Sequence, residues 1–427
     1  MSSSTPATAP ERVSLRAFWR ELSGPGRWLL STTAITTLGR GMVLPFTIVY
    51  LTEVRSVPLS TAGVLMGLIA VVALTVTGPG GVATDRAGPR RVLILSTLAS
   101  IAAPLVMGFS TVVPGFAVAV GLMGLGWGLS WSAWNALIAA VVSGVARQRF
   151  YGVNFALVNL GIGLGGVVSG LFVDVHRPGT FVAIFLADAA CLLVPFALLF
   201  GPLRGVGGPV PHPASAESPA TYAAVWRHTP VRWLAGLAFL TTYVGYGQME
   251  SGFPAFARQV AQVSTRTLGL AFAANTAAIV VLQFAVLKRI DGRRRTRVLA
   301  FMATIWAGAW GILAATGWAP GGVGAVAGVV AFTAIFGFGE TMMRATMPSI
   351  VNDLADDHSR GRANSVNSAA FQLGAILGPV VAGFLLHGGH WVVHVLVMLA
   401  GCVLVALAAV ALERLLPPAV NGVHPPS

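Results

Sequence analysis

The sequence predicts an all-α integral membrane protein of twelve spanning helices arranged as two pseudo-symmetric six-helix bundles. Composition, the placement of basic residues and an internal repeat carry this prediction. Of 427 residues, 55% are hydrophobic and 10% charged, against about 25% charged in an average soluble domain. One soluble core cannot bury that much apolar surface, and a disordered chain needs low hydrophobicity. The net charge of +13 raises the question of which side of a bilayer the arginines occupy.

A spanning helix needs about 20 mostly apolar residues. Twelve segments qualify: 28–51, 60–83, 92–113, 115–142, 153–174, 180–201, 233–254, 267–287, 298–318, 321–348, 365–386 and 391–413. The first is too long for a secretory signal, and no small-residue cleavage pattern precedes the second. Between spans the charge is one-sided. Arg55, Arg177, Arg258 and Arg266 fall in loops on one face, Arg40 and Arg344 lie inside spans, and every other basic residue falls on the opposite face. The positive-inside rule then places both termini in the cytoplasm. The charge excess sets orientation and is no nucleic-acid footprint.

The segments divide into a cytoplasmic N-terminal piece (1–27), a first bundle (28–201), a cytoplasmic linker (202–232), a second bundle (233–413) and a cytoplasmic tail (414–427). The leader carries an amphipathic stretch, Val13 to Arg20, expected on the inner membrane surface. The linker is Gly/Pro-rich from Gly205 to Pro213, and the tail from Pro417 is expected to be disordered. Cys191 and Cys402 sit within spans as small apolar fillers, with no disulfide framework.

The halves align on each other. At an offset of 213, Arg147, Arg149, Val153, Asn154, Leu160 and Gly161 fall on Arg360, Arg362, Val366, Asn367, Leu373 and Gly374; Leu164, Gly165, Val167, Val168 and Gly170 fall on Leu377, Gly378, Val380, Val381 and Gly383. At an offset of 206, Asp85, Arg91, Val92 and Leu93 fall on Asp291, Arg297, Val298 and Leu299. A duplicated six-helix unit is a transporter signature, with a site between the halves near the midplane.

The loop Gly81-Val82-Ala83-Thr84-Asp85-Arg86-Ala87-Gly88-Pro89-Arg90-Arg91 resembles the signature loop of the major facilitator superfamily, G-x-L-A-D-R-x-G-R-R/K, at Gly81, Asp85, Arg86, Gly88 and Arg90; Ala83, Thr84 and Pro89 depart from it. Leu38 to Pro45 is similar to the first-helix motif of that superfamily's drug:proton antiporters, and Gly374 to Gly383 to its G-x-x-x-G-P-x-x-x-G helix. The fifth-span run Gly161 to Gly170 has no proline, and the fourth span lacks the arginine many proton-coupled members carry. The resemblance implies the major facilitator fold over essentially the whole chain. It implies a conformational latch at Gly81, Asp85, Arg86, Gly88 and Arg90, where the alternative is a plain turn with Gly88 for flexibility. It also implies that spans five and eleven slide against each other, with Gly161, Gly165, Gly374, Gly378, Pro379 and Gly383 allowing close packing. The G-x-G-x-x-G match from Gly161 to Gly166 lacks the strand a dinucleotide site needs.

Charges inside the bilayer are the sharpest functional signal, since each costs at least ~2.5–3.5 kcal/mol at its centre. Arg40 and Asp188 lie mid-span in the first and sixth helices, neighbours in facilitator folds, and are expected to pair, structurally or functionally. Glu250 is spaced to share a helical face with Tyr243 and Tyr246; Glu340 has Arg344 one turn on and Phe336 one turn back. By resemblance these helices line a central cavity, where Glu250, Glu340 or Asp188 would carry the proton, or a carboxylate there would bind a cationic substrate directly. Glu340 alternatively forms a structural pair with Arg344. Trp127, Trp131 and Trp134 form a stripe with Asn135 adjacent, read either as an interfacial belt or as a surface for a planar or cationic ligand. Arg40 with Thr36 and Thr47 would complete the cavity, and Glu53 is expected at the interface.

These expectations describe a monomeric secondary transporter of a bacterial inner membrane, without cofactor or metal, that exports an amphipathic small molecule or drug by alternating access against protons. Its partners are that molecule, protons and the lipid bilayer. The rivals are an importer or facilitator of a sugar, organic acid or peptide, and a non-transporting membrane sensor. No Walker motif supports ATP-driven transport, and the histidines form no catalytic or metal constellation. The topology predicts that, with Cys191 and Cys402 replaced by serine, Ser56→Cys labels from outside and Ala87→Cys from inside with an impermeant thiol reagent. The reverse pattern overturns the orientation.

Overall fold

The computed structural model describes residues 15–142, 144–206, 222–354 and 360–422. Among the described residues eleven helices are long and apolar enough to cross a membrane, and a twelfth crossing is made of shorter pieces. We number the crossings α1 (Gly24–Val54), α2 (Leu59–Ala87), α3 (Pro89–Phe109), α4 (Val113–Val141), α5 (Gly144–Phe172) and α6 (Pro178–Phe200). Then follow α7 (Thr229–Val244, Gln248–Gly252 and Phe253–Gln259), α8 (Thr265–Ile290), α9 (Arg295–Trp318), α10 (Val323–Leu354), α11 (Arg360–His387) and α12 (Trp391–Glu413). With no water in hydrocarbon, each crossing must satisfy its own backbone, so helix is the default. Large apolar side chains such as Phe284 and Val281 on α8 point outward, at 78% and 73% exposure, as a lipid-facing wall requires.

Two corresponding crossings are broken. In α1 the helix turns at Leu44–Phe46 around Pro45 and resumes as Thr47–Val49 and a π-helical turn, Tyr50–Val54. In α7 the break falls at Gly245, and a π-helical turn spans Gln248–Gly252. A break frees carbonyls that must find other donors. The Trp310 indole donates to the Val244 carbonyl at 3.1 Å, and Gln248 Nε2 to the Tyr243 carbonyl at 3.0 Å. Wide turns of this kind recur at functional sites.

Packing repeats from one half to the other. α1 packs on α5 and α6, α2 on α4, and α3 on α4 and α6; α7 packs on α11 and α12, α8 on α10, and α9 on α10 and α12. The halves meet through α2 with α11 and α5 with α8. The expected sliding partners are therefore different: α5 and α11 each run along a helix of the opposite half. Glycine sets these approaches. A Cβ on Gly63 would stand 2.5 Å from the Pro379 carbonyl, and one on Gly383 would stand 2.7 Å from that of Leu59. Within the halves, Gly161 faces Thr37, Gly165 the Leu38 carbonyl, Gly374 the Phe239 carbonyl and Gly378 the Gly247 backbone.

The tail departs from expectation, and the leader adds a contact with protein. Of the amphipathic leader, residues 13–14 lie outside the described residues. Its helix Leu15–Glu21 buries Phe18 against a cluster that includes Leu22, Leu29, Val142 and Phe150, so it docks on protein. Arg27 donates to the Trp19 and Arg20 carbonyls, at 2.9 and 3.0 Å, where that helix ends. The tail residues Pro417 to Gly422 are structured. Asn421 accepts from the Thr296 amide at 3.0 Å, capping the start of α9, and its own carbonyl accepts from the Arg295 amide at 2.9 Å. Within the linker, 207–221 lie outside the described residues, as do 423–427 of the tail. Cys191 is half-buried, Cys402 is buried, and both are free thiols.

The close helix approaches predict a graded cost. Gly165→Val places side-chain atoms against the α1 backbone, where a Cβ alone would stand 2.3 Å from the Leu38 carbonyl. Overpacking of that kind costs roughly 1–3 kcal/mol or more. The folded yield and melting temperature of the purified protein should fall, whereas Gly152→Val, with open space around it, should leave both unchanged.

Candidate functional site

A cavity of about 400 Å³ opens among the helices of the first half. One wall carries Trp127, Trp131 and Trp134 of α4, and another the hydroxyls of Thr32, Thr33, Thr36 and Thr37 on α1 and of Ser96, Thr97 and Ser100 on α3. Asp188 of α6 and Glu250 of α7 complete it with Arg40. The α4 stripe thus faces the cavity, as ligand stacking requires: Trp131 is 67% exposed there. Apart from Glu250 and Leu203, the described lining residues belong to the first half.

Arg40 is the electrostatic centre. Its guanidinium lies 4.1 Å from the Trp127 ring centroid and 3.5 Å from Glu250 Oε1. A cation over an indole face is attracted by the ring quadrupole, so Trp127 already holds a cation of the chain itself. The expected Arg40–Asp188 ion pair is not formed. Asp188 lines the same cavity at 8% exposure, packed against Gly39, with no hydrogen bond or ion pair among the described residues. The reason lies in α7, whose π-helical turn carries Glu250 toward α1.

The same turn separates residues that a regular helix would align. Tyr243 stacks on Phe239 at 6.0 Å, and neither it nor Tyr246 lines the cavity with Glu250. Tyr246 instead donates to Glu340 Oε1 at 2.5 Å and accepts from Arg344 Nε at 2.7 Å, with Arg344 3.7 Å from Glu340. The three form a closed unit between α7 and α10, and the Arg344 guanidinium lies 5.6 Å from the Phe155 ring of the other half. Phe336 is not a cavity residue. It is fully buried and stacked on Trp306 at 4.4 Å. Asn135 is outside the cavity too, accepting from the Tyr151 hydroxyl at 3.0 Å.

Several contacts were not singled out by sequence, which had placed Glu53 only at the interface. Glu53 and Arg258, on the π-helical turn of α1 and the last piece of α7, form a two-point ion pair between the halves: Arg258 Nε lies 2.9 Å from Glu53 Oε1, and a second bond joins Nη2 to Oε2. Thr33 donates to Asn154 Oδ1 at 2.8 Å across α1 and α5. The available signal for the α3 hydroxyls was their helical spacing, Ser96 to Ser100. Of the half-to-half ties, Glu53–Arg258 and Thr265 donating to the Val173 carbonyl lie at the end of the bundle away from the chain termini, while Arg40–Glu250 and Thr276 donating to the Asn159 carbonyl at 3.2 Å lie deeper along the helices. In the signature loop, Gly88 has φ +85°, a conformation that favours glycine. Arg90 Nε donates to the Leu199 carbonyl at 2.6 Å, within its own half. Gly81 and Asp85 lie on the last turns of α2, with Arg86 beside them.

The family model for the Major Facilitator Superfamily matches residues 29–334 and 262–426. The MFS-type transporter YhjO of Bacillus subtilis (strain 168) is 25% identical over 374 residues, 87% of this chain and 88% of that protein. YdeE of Escherichia coli (strain K12), also an MFS-type transporter, is 22% identical over 404 residues, 88% and 93% of the two chains. Among solved structures, a variant of the nucleoside transporter NupG superposes with a TM-score of 0.76 at 11% identity, covering 91% of this chain and 100% of that one. A POT family transporter in complex with 5-aminolevulinic acid gives 0.72 at 14%, covering 93% and 96%. The chain belongs to the Major Facilitator Superfamily and is a multi-pass membrane transporter, not an enzyme.

Proposed function

We propose that this transporter exports an amphipathic small molecule in exchange for protons, with the two six-helix units (28–201 and 233–413) rocking about the cavity. The observation that carries the reading is the Arg40–Glu250 pair, which joins the halves inside a cavity with one aromatic and one hydroxyl-rich wall. Protonation of Glu250 removes the charge that holds Arg40. The same event therefore changes both the cavity's electrostatics and the tie between halves, which is what coupling requires. The proton gradient supplies ~2.3 kcal/mol per charge per 100 mV.

With the termini in the cytoplasm of a bacterial cell, the Glu53–Arg258 pair closes the outer end and the cavity loads from inside. Asp85 and the signature-loop arginines would latch the opposite state. Glu340, already held by Tyr246 and Arg344, serves in this reading to brace α7 against α10. The protein acts as a monomer. A second reading, uptake of a small polar metabolite, is favoured by the threonine and serine wall, and the structural neighbours include a nucleoside transporter and a carrier bound to 5-aminolevulinic acid.

A growth-inhibition panel in a pump-deficient host identifies the transported compound. In everted vesicles acidified inside, that compound should accumulate, and Glu250→Gln should reduce accumulation at least tenfold while Glu340→Gln reduces it less. Undiminished accumulation in Glu250→Gln removes Glu250 as the proton carrier. Accumulation only in right-side-out vesicles acidified outside establishes the uptake reading.

A further inference from the structure

The duplication allows one half to be compared with the other, position by position. α3 and α9 begin at the 206-residue offset of their preceding loops, so Ser100 corresponds to Trp306 and Pro104 to Trp310. The neighbouring helices keep the 213-residue offset, pairing Gly126 with Gly339 and Met123 with Phe336. Contacts support this register. A Cβ on Gly126 would stand 2.2 Å from Ser100 Oγ, and one on Gly339 would stand 2.4 Å from Trp306 Nε1. Each glycine receives the residue that corresponds to the other's partner.

In the second half, Trp306, Trp310 and Phe336 are fully buried and fill the space between α7, α9, α10 and α12. In the first half, Ser100, Pro104 and Met123 are too small to do so, and the corresponding space is the cavity they line. The cavity is therefore a hollow bundle core, deeper than a cleft between halves. Of its two carboxylates, Asp188 has more than nine-tenths of its surface buried and no hydrogen bond or ion pair among the described residues, while Glu250 is paired with Arg40. A buried carboxylate without a partner is costly. The Arg40 guanidinium acts on it electrostatically but bonds to Glu250 and lies over Trp127, forming no ion pair with it.

We propose that this hollow core is a ligand pocket for a protonated amine bearing a flat apolar body. The ammonium pairs with Asp188 and the body lies against Trp131 and Trp134. The proposal rests on the reading that a small molecule passes through this cavity, and it adds where that molecule binds and what charge it carries. A cation is the complement of the unpaired carboxylate, and indole faces suit a flat apolar body.

The test uses the purified full-length protein in detergent, with no gradient, and three probes sharing one ring: 2-(1-naphthyl)ethylamine, 2-(1-naphthyl)ethanol and 1-naphthylacetate. Calorimetry should show the amine binding at least tenfold tighter than the alcohol, with no binding of the acid. Asp188→Asn should erase the difference between amine and alcohol. Ser100→Trp, which restores the residue the second half uses, should weaken amine binding at least tenfold, and Ser100→Leu should weaken it less. Leu98→Trp, at a position 46% exposed on the outer face of α3, should leave it unchanged. If Ser100→Trp does not fold, Ser100→Leu and Asp188→Asn decide. The proposal is overturned if the wild-type protein shows no preference for the amine, or if folded Ser100 variants bind it undiminished. Binding that depends on Asp188 without pH-driven transport would instead contradict proton-coupled export and leave the pocket standing.

Discussion

A fixed positive charge in the middle of a membrane-spanning helix must be compensated, and the compensation of Arg40 organises much of this molecule. An isolated arginine at that depth is costly. Trp127 offers its ring face from within the same half, and Glu250 its carboxylate from the other. Glu250 reaches α1 because α7 abandons regular helix at Gly245 and widens into a π-helical turn. That departure is supported in turn by Trp310 and Gln248, which take the freed carbonyls. The Glu53–Arg258 pair repeats the arrangement farther along the same two helices, again from a π-helical turn. Between them the two pairs join α1 and α7 at two heights.

Duplication supplied two copies of one bundle, and the copies have diverged at corresponding places. Arg40 corresponds to Tyr246 at the 206-residue offset, while Trp127 and Trp131 correspond to Glu340 and Arg344 at 213. In the second half these residues close on one another as the Tyr246–Glu340–Arg344 unit. In the first half they open onto a cavity. The tryptophans of α9 make the second half a solid core, and the serine and proline at the same places in α3 leave the first half hollow. In the proposed cycle a rigid bundle rocks against one that carries the ligand.

The crossings and the repeat were legible in the sequence because both follow from one-dimensional patterns: stretches of apolar residues, and identities at fixed offsets. Gly88 and the helix-packing glycines were legible for the same reason. What was not legible depended on helical phase. Reading α7 as continuous placed Glu250 with Tyr243 and Tyr246, but the break at Gly245 sends them to different neighbours. Arg40 was assigned to Asp188 from the adjacency of their helices, yet adjacency does not decide which carboxylate a long guanidinium reaches. Phe336 sits one turn from Glu340 and still points into the core, since one turn does not distinguish a cavity face from a packed one. Asn421 seemed part of a structureless tail because a single buried cap leaves no periodic trace.

The central claim is that the ion pairs between α1 and α7 hold one end of the transporter closed and must break for it to open. Spin labels at Val112→Cys and Trp318→Cys, exposed positions at that end of the two halves, report the separation by pulsed electron paramagnetic resonance on a background lacking Cys191 and Cys402. The account predicts one short distance population in the otherwise native protein. Combining Glu53→Gln with Arg258→Gln should add a longer population, which lowering the pH enlarges. An unchanged distribution in that double variant, with transport intact, would contradict it.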